Sequence, residues 1–414
     1  MREAIRLFKN AKLQRRTLTV VTNSINSLVL PILNPVVSFL VVRLASITVW
    51  GEFVQALIVV QLATHVIAWG NKEYLLREFS LNPTQIARAW QTSLVTRLAV
   101  FALACGAIVV MGLPPPRALW IALWGLGLVL YQSCEVLILY RKDFVFATLI
   151  ELGGLGVQVA AVAWFARRID PDRLIVVFAL ATLLKASVFW VRYRRHTLIV
   201  TDSRAWLMGR FDARYFSLAF PFFLLGFSGL LQSRIDLYSV NFFLPKSEVG
   251  QYQVFMTFMI YLQSIAAFIL APFLKGLYRL SYRTMLGISA KLFAFGALLL
   301  APGLSVVYGV LVGHYHFDLS LTFMLAGGLL ALPIYFYLPI IYALYKAGSQ
   351  STVIKINLLG IGVNLLLSLI LLPRVGMIGA VVAGATAQWV MFAGYLVQSR
   401  TIRETYAGAV PELP

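Results

Sequence analysis

Apolar runs about twenty residues long recur along nearly the whole chain, and they decide the solvent it folds in. A helix of that length rises ~30 Å, the thickness of a bilayer's hydrocarbon core. Lipid offers the backbone no hydrogen-bond partner, so only helices and closed barrels cross it. The runs are continuous rather than alternating, which selects helices. Composition agrees: 60% of the 414 residues are hydrophobic and 12% charged, with a mean hydropathy of +0.83. That leaves too little polar surface to cover a soluble fold of this size.

Twelve spans are predicted, at residues 17–42, 51–69, 93–112, 118–139, 146–166, 174–193, 215–241, 251–273, 284–310, 320–344, 352–373 and 377–397. The expected fold is all-α, a polytopic membrane protein with twelve transmembrane helices. The connections are short, and none would hold a folded domain outside the membrane. Residues 1–16 read as a basic amphipathic arm lying on the membrane surface. They lack the short apolar core and small-residue cleavage site of a signal peptide.

The formal net charge of +19 raises nucleic acid as a partner, and its distribution argues against one. With the N-terminus inside, 24 Lys/Arg fall on the cytoplasmic side, counting Arg192 and Lys355 at span ends, 7 on the other and 4 deeper within spans, which accounts for all 35. Alternating loops thus follow the positive-inside rule, with both termini cytoplasmic. The densest cluster, from the end of the sixth span to the start of the seventh, holds Arg192, Arg194, Arg195, Arg204, Arg210 and Arg214. It would suit anionic lipid headgroups, although topology alone accounts for it. Cys105 and Cys134 lie inside spans, and no disulfide is expected. His314 and His316 are too few ligands for a metal site, and no phosphate-binding glycine loop is present. Neither metal nor cofactor is expected.

The chain echoes itself. Gly51 follows "RLASITVW" and Gly250 follows "FLPKSEV", 199 residues apart, each two positions before an aromatic residue, Phe53 or Tyr252. Glycine at both places is expected to let the chain reverse tightly between helices. Six spans per half gives both halves one orientation, a parallel pseudo-two-fold repeat with substrate bound between the halves. The expected division is residues 1–16 as the arm, 17–200 as the N-terminal six-helix lobe and 201–414 as the C-terminal six-helix lobe.

Three stretches carry a family resemblance: "RLASITVWGEFVQALIVVQLATHVIAWGNKEYLLREFS", "FPFFLLGFSGLLQSRIDLYSVNFFLPKSEVGQYQVF" and "INLLGIGVNLLLSLILLPRVGMIGAVVAGATAQW". The last includes a Pro-x-x-Gly-x-x-Gly-Ala turn at Pro373, Gly376, Gly379 and Ala380. Together they resemble the multidrug/oligosaccharidyl-lipid/polysaccharide (MOP) superfamily, and within it the Wzx-type O-antigen or capsule-unit flippases. Fourteen spans would have pointed to the peptidoglycan-precursor flippases instead. The resemblance implies a protein of the bacterial inner membrane, and a monomer is expected because both halves of the pathway lie in one chain. It would move a lipid-linked oligosaccharide from the cytoplasmic to the outer leaflet through a cationic central cavity. Its other partners would be membrane lipids and further polysaccharide-assembly proteins.

A charge at the bilayer centre costs about 2.5–3.5 kcal/mol, so each needs a partner or water. Four bases lie deeper within spans: Arg97, Lys185, Arg234 and Lys291. Arg97 and Lys291 are near enough to a span end to snorkel. Lys185, mid-span, is the strongest candidate for a watery lumen. Two embedded acids are singled out, Glu135 and Asp236, as candidate ion-coupling groups for Na⁺ or H⁺. Arg234 and Asp236 point ~200° apart on a helix and do not neutralise each other. Arg43, near the outer end of the first span, is the expected gate partner of Asp236. Polar stripes add Asn23, Asn26 and Asn34 in the first span, Gln132 with Glu135 in the fourth, and Glu151, Gly154 and Gln158 in the fifth. Asn357, Asn364 and Ser368 form another in the eleventh. Such residues line sugar-binding cavities or glue helices together. Pro31, Pro35, Pro221, Pro302 and Pro333 are expected bends.

The expected function is therefore a non-enzymatic flippase for a polyprenyl-pyrophosphate-linked oligosaccharide, working by alternating access. A multidrug-type cation antiporter of the same superfamily is the alternative within transport. A membrane glycan polymerase or glycosyltransferase is the alternative from another class. It would need a sizeable outer loop, and the longest one, around "RRIDPDRL", carries only Asp170 and Asp172 as acids.

Overall fold

A computed structural model describes residues 35–110, 112, 114–197, 211–270, 277 and 280–407. Every predicted span with described residues is helical there. In chain order the helices are α1 (Pro35–Leu44), α2 (Ile47–Ala68), α3 (Asn71–Leu81), α4 (Ile86–Val110), α5 (Pro115–Arg141), α6 (Phe144–Phe165) and α7 (Pro171–Thr197). They continue as α8 (Arg214–Phe243), α9 (Lys246–Leu270), α10 (Tyr282–Gly313), α11 (Leu321–Ala331), α12 (Pro333–Lys346), α13 (Gln350–Val375) and α14 (Met377–Ala407). Among the described residues, ten helical stretches are long and apolar enough to cross a bilayer. Their outer surface is itself apolar: Leu103, Trp164, Phe242 and Leu298 are each more than three-quarters exposed. A soluble protein would hide such side chains, whereas lipid solvates them. This is a multi-pass, all-α membrane protein.

Local chemistry sets the helix ends. Ser46, Ser281 and Ser320 cap α2, α10 and α11, their hydroxyls accepting from the backbone N–H three residues on. Pro333 supplies no N–H to a helix and parts α11 from α12, so the tenth span is two helices. The connection after the second span contains a further helix, α3. Trp69 and Gly70 adopt left-handed backbone conformations (φ 45° and 70°) and turn the chain into it.

The chain divides into two compact units, Met1–Phe227 and Ser228–Pro414. The boundary expected at 200/201 lies outside the described residues. In unit 1, α5 packs along α7, with α2, α4 and α6 around them. Phe53, Trp124 and Phe178 meet there at centroid distances of 4.6–5.6 Å. In unit 2, α14 packs along α13, α11 and α12, with α9 and α10 against α11 and α12. The second, third and sixth spans pack against the fourth as the eighth, ninth and twelfth pack against the tenth.

The glycine echo is real but works differently from the expectation. Gly51 and Gly250 are each the fifth residue of a helix, α2 and α9, and both are buried. The chain reverses before them, at Ala45–Ser46 and Leu244–Pro245. Small residues inside helices admit close packing rather than a turn. Phe53 and Tyr252, two positions on, are buried in their own units.

Candidate functional site

Lys185 occupies α7 in unit 1, and its ammonium lies 3.0 Å from the Glu151 carboxylate of α6. It also sits over the face of Tyr131 of α5, 5.2 Å from the ring centroid. Glu151 is 3% exposed. Gly154, one turn along α6, makes room for the lysine stem: a Cβ there would come within 2.6 Å of Lys185 Cδ. A base and an acid from neighbouring helices therefore neutralise each other inside the membrane fold. The reading of Glu135 and Asp236 as the two embedded acids undercounted, because Glu151 is more deeply buried than Glu135.

A second cluster in unit 1 surrounds the α2–α3 bend. Lys72 of α3 pairs with Glu135 of α5 at 2.8 Å. The two close on a cavity of ≈ 200 Å³ that His65, Asn71, Gln132 and Phe222 also line. The bend is fixed by α8. Trp69 donates through Nε1 to the Phe216 carbonyl at 3.0 Å, and Tyr215 donates to the Ala68 carbonyl at 3.0 Å. Trp69 also stacks on Phe223 with centroids 4.0 Å apart.

Arg97 does not snorkel. Its side chain is fully buried because its stem points inward from α4 toward α5, where Nη2 donates to Ser133 Oγ at 2.5 Å. Nε and Nη1 have no hydrogen-bond partner among the described residues.

In unit 2, Asp236 of α8 is 3% exposed. It accepts from the Tyr252 hydroxyl of α9 at 2.5 Å and from the Leu237 N–H at 2.8 Å. Asp236 lines a cavity of ≈ 160 Å³ whose other polar walls are Gln232, Ser233, Gln263, Asn364 and Gln388. Asn364 is held by Ser368, which donates to its Oδ1 at 3.1 Å. Asn357, on the same stripe of α13, instead accepts from Tyr395 of α14 at 3.0 Å, a packing role. Arg234, two residues from Asp236 on the same helix, is half-buried. Among the described residues neither Arg234 nor Lys291 has an ion-pair partner, and Lys291 is exposed.

The structure thus brings Glu135 together with Gln132, Asp236 with Asn364, and Lys185 with Glu151. Gln158 is only partly exposed, Arg43 is exposed, and Asn23 and Asn26 lie outside the described residues. Sequence reasoning missed Lys72, Tyr252, Gln263 and Gln388. Each glutamine is a lone amide in an apolar run, whereas Gln158 was singled out by its helical spacing from Glu151 and Gly154, so that rule passes over both.

No protein-family model matches the chain, and no curated protein matches it in sequence. Solved structures do match in fold. A lipid II flippase MurJ in an inward closed conformation aligns with a TM-score of 0.73 at 12% identity, over 93% of this chain and 87% of that one. An outward-facing multidrug resistance MATE family transporter of the MOP superfamily aligns at 0.59 and 12% identity, over 95% and 96%. An inward-facing one aligns at 0.53 and 12%, over 90% and 95%. At these identities the likeness is one of fold alone.

Proposed function

We propose that this chain is a flippase that carries a polyprenyl-pyrophosphate-linked oligosaccharide from the cytoplasmic to the outer leaflet of a bacterial inner membrane by alternating access. One observation carries the reading. A cavity in unit 2 is walled by four amides and a hydroxyl around the buried Asp236. Amides and hydroxyls both donate and accept, which is what sugar hydroxyls require. Arg234, half-buried on α8 and without an ion pair within 4 Å among the described residues, is the group that would take a pyrophosphate through charge-assisted hydrogen bonds. Lys291 is the second such cation. Lys185, bound to Glu151, would contribute only if that pair opened.

Asp236 and Glu135 are the proposed ion-coupling groups, since each is an acid placed at a cavity within one unit. A multidrug-type cation antiporter is the second reading. The aromatic run of Trp69, Phe223, Phe227 and His65 favours it. Proteoliposome assays of lipid-linked glycan movement beside organic-cation uptake decide between the two. The flippase reading predicts the first activity without the second.

A further inference from the structure

We infer that the cavity at the α2–α3 bend of unit 1 is a binding subsite for one neutral sugar ring. The inference rests on the reading of the cargo as a lipid-linked glycan and gives part of that glycan a place. Two independent observations point to a ligand. Asn71 is 2% exposed, and although its Oδ1 accepts from Ser93 at 2.6 Å, its Nδ2 has no partner among the described residues. Gln132 lines the same cavity, and its Oε1 is equally unpartnered. A buried donor and a buried acceptor, each costly to leave unmade, thus stand at one small space.

The chemistry of the walls selects the ligand. Lys72 and Glu135 set a second donor beside a second acceptor, 2.8 Å apart. A sugar hydroxyl donates one hydrogen bond and accepts others. Two neighbouring hydroxyls would meet Lys72 with Glu135, and the amides of Asn71 and Gln132 would take the next position on the ring. Phe222 and His65 offer apolar faces for the ring's C–H groups.

Pyrophosphate fits poorly, because the one lysine is already neutralised and Glu73 adds a further negative charge to the lining. A metal ion fits poorly too: no group of three or more His, Cys, Asp or Glu is gathered for one among the described residues. The cavity, ≈ 200 Å³, falls below the ~300 Å³ at which drug-sized sites begin, so it takes a ring and not a chain. Gly70 and Gly226 keep side chains out of its lining.

The test is saturation-transfer NMR on the full-length protein in nanodiscs, with free glucose, galactose, rhamnose and N-acetylglucosamine as probes. Gln132→Leu and Glu135→Gln are compared with the parent after both are shown to unfold at the parent's temperature. Should one fail to fold, the other carries the comparison, with Lys72→Met beside it. Transfer to at least one sugar, weakened tenfold or more in the variants, is the expected result. Transfer that survives the substitutions, or no transfer to any sugar, overturns the subsite. So does tetraphenylphosphonium displacing the sugar from the parent but not binding the variants. Glycan movement in proteoliposomes is read separately. Movement without sugar binding removes the subsite and leaves the flippase, and sugar binding without movement does the reverse.

Discussion

Tyr252 donates its hydroxyl proton to Asp236 across 2.5 Å, tying α9 to α8 inside unit 2. The bond explains why a carboxylate survives in an apolar run: the tyrosine and the Leu237 N–H replace the water it lost. Tyr252→Phe leaves that buried acceptor short of one donor. It is expected to lower unfolding free energy in mixed micelles by about 1–3 kcal/mol. Asp236→Asn is expected to destabilise as well, and the double variant by less than the two singles combined. Additive effects would show that the two groups do not act on each other.

Lys185 and Glu151 form the most buried ion pair among the described residues. Removing either partner strands a charge, so Lys185→Met or Glu151→Gln alone is expected to cost about 3–5 kcal/mol. Lys185→Met combined with Glu151→Gln should recover much of that loss. Equal instability of the single and double variants, measured by thermal unfolding, would contradict the pairing.

Gly70 sits at φ 70° with Phe223 N and Ala219 O where a Cβ would go, at 2.6 and 2.9 Å. An L side chain in the left-handed region costs about 1–2 kcal/mol before any clash. Gly70→Ala is expected to exceed that cost and to lower the unfolding temperature by several degrees or more. An unchanged melting temperature would mean that the α2–α3 bend is not as described.

Much of the fold was written in the apolar runs, because helices in lipid need nothing else to announce themselves. The runs around Phe53 and Tyr252 marked the two halves, although the glycines beside them pack helices rather than turn the chain. Partners were harder to read. Glu151 and Lys185 are 34 residues apart on different helices, and no local spacing predicts which faces meet. Helix α3 was hidden for a different reason: its buried Leu75 and Phe79 are interrupted by charges that face outward, so no run of apolar residues marks it. Arg97 showed the limit of position alone, since a residue one turn from a span end can point inward.

Arg97 places two unpartnered nitrogens in a buried site. An apolar side chain of similar length removes that cost, so Arg97→Met is expected to be neutral or stabilising by about 1–4 kcal/mol. A loss of stability of that size in thermal unfolding would show that the guanidinium is better satisfied than its hydrogen bonds indicate.

The most direct test of the flippase reading is the movement of a fluorescent polyprenyl-pyrophosphate oligosaccharide across proteoliposome membranes, measured for the parent protein and for Arg234→Gln. The account predicts movement well above protein-free liposomes, reduced at least tenfold by the substitution while folding is retained. No movement under either a Na⁺ or an H⁺ gradient, with organic cations accumulating instead, would contradict it.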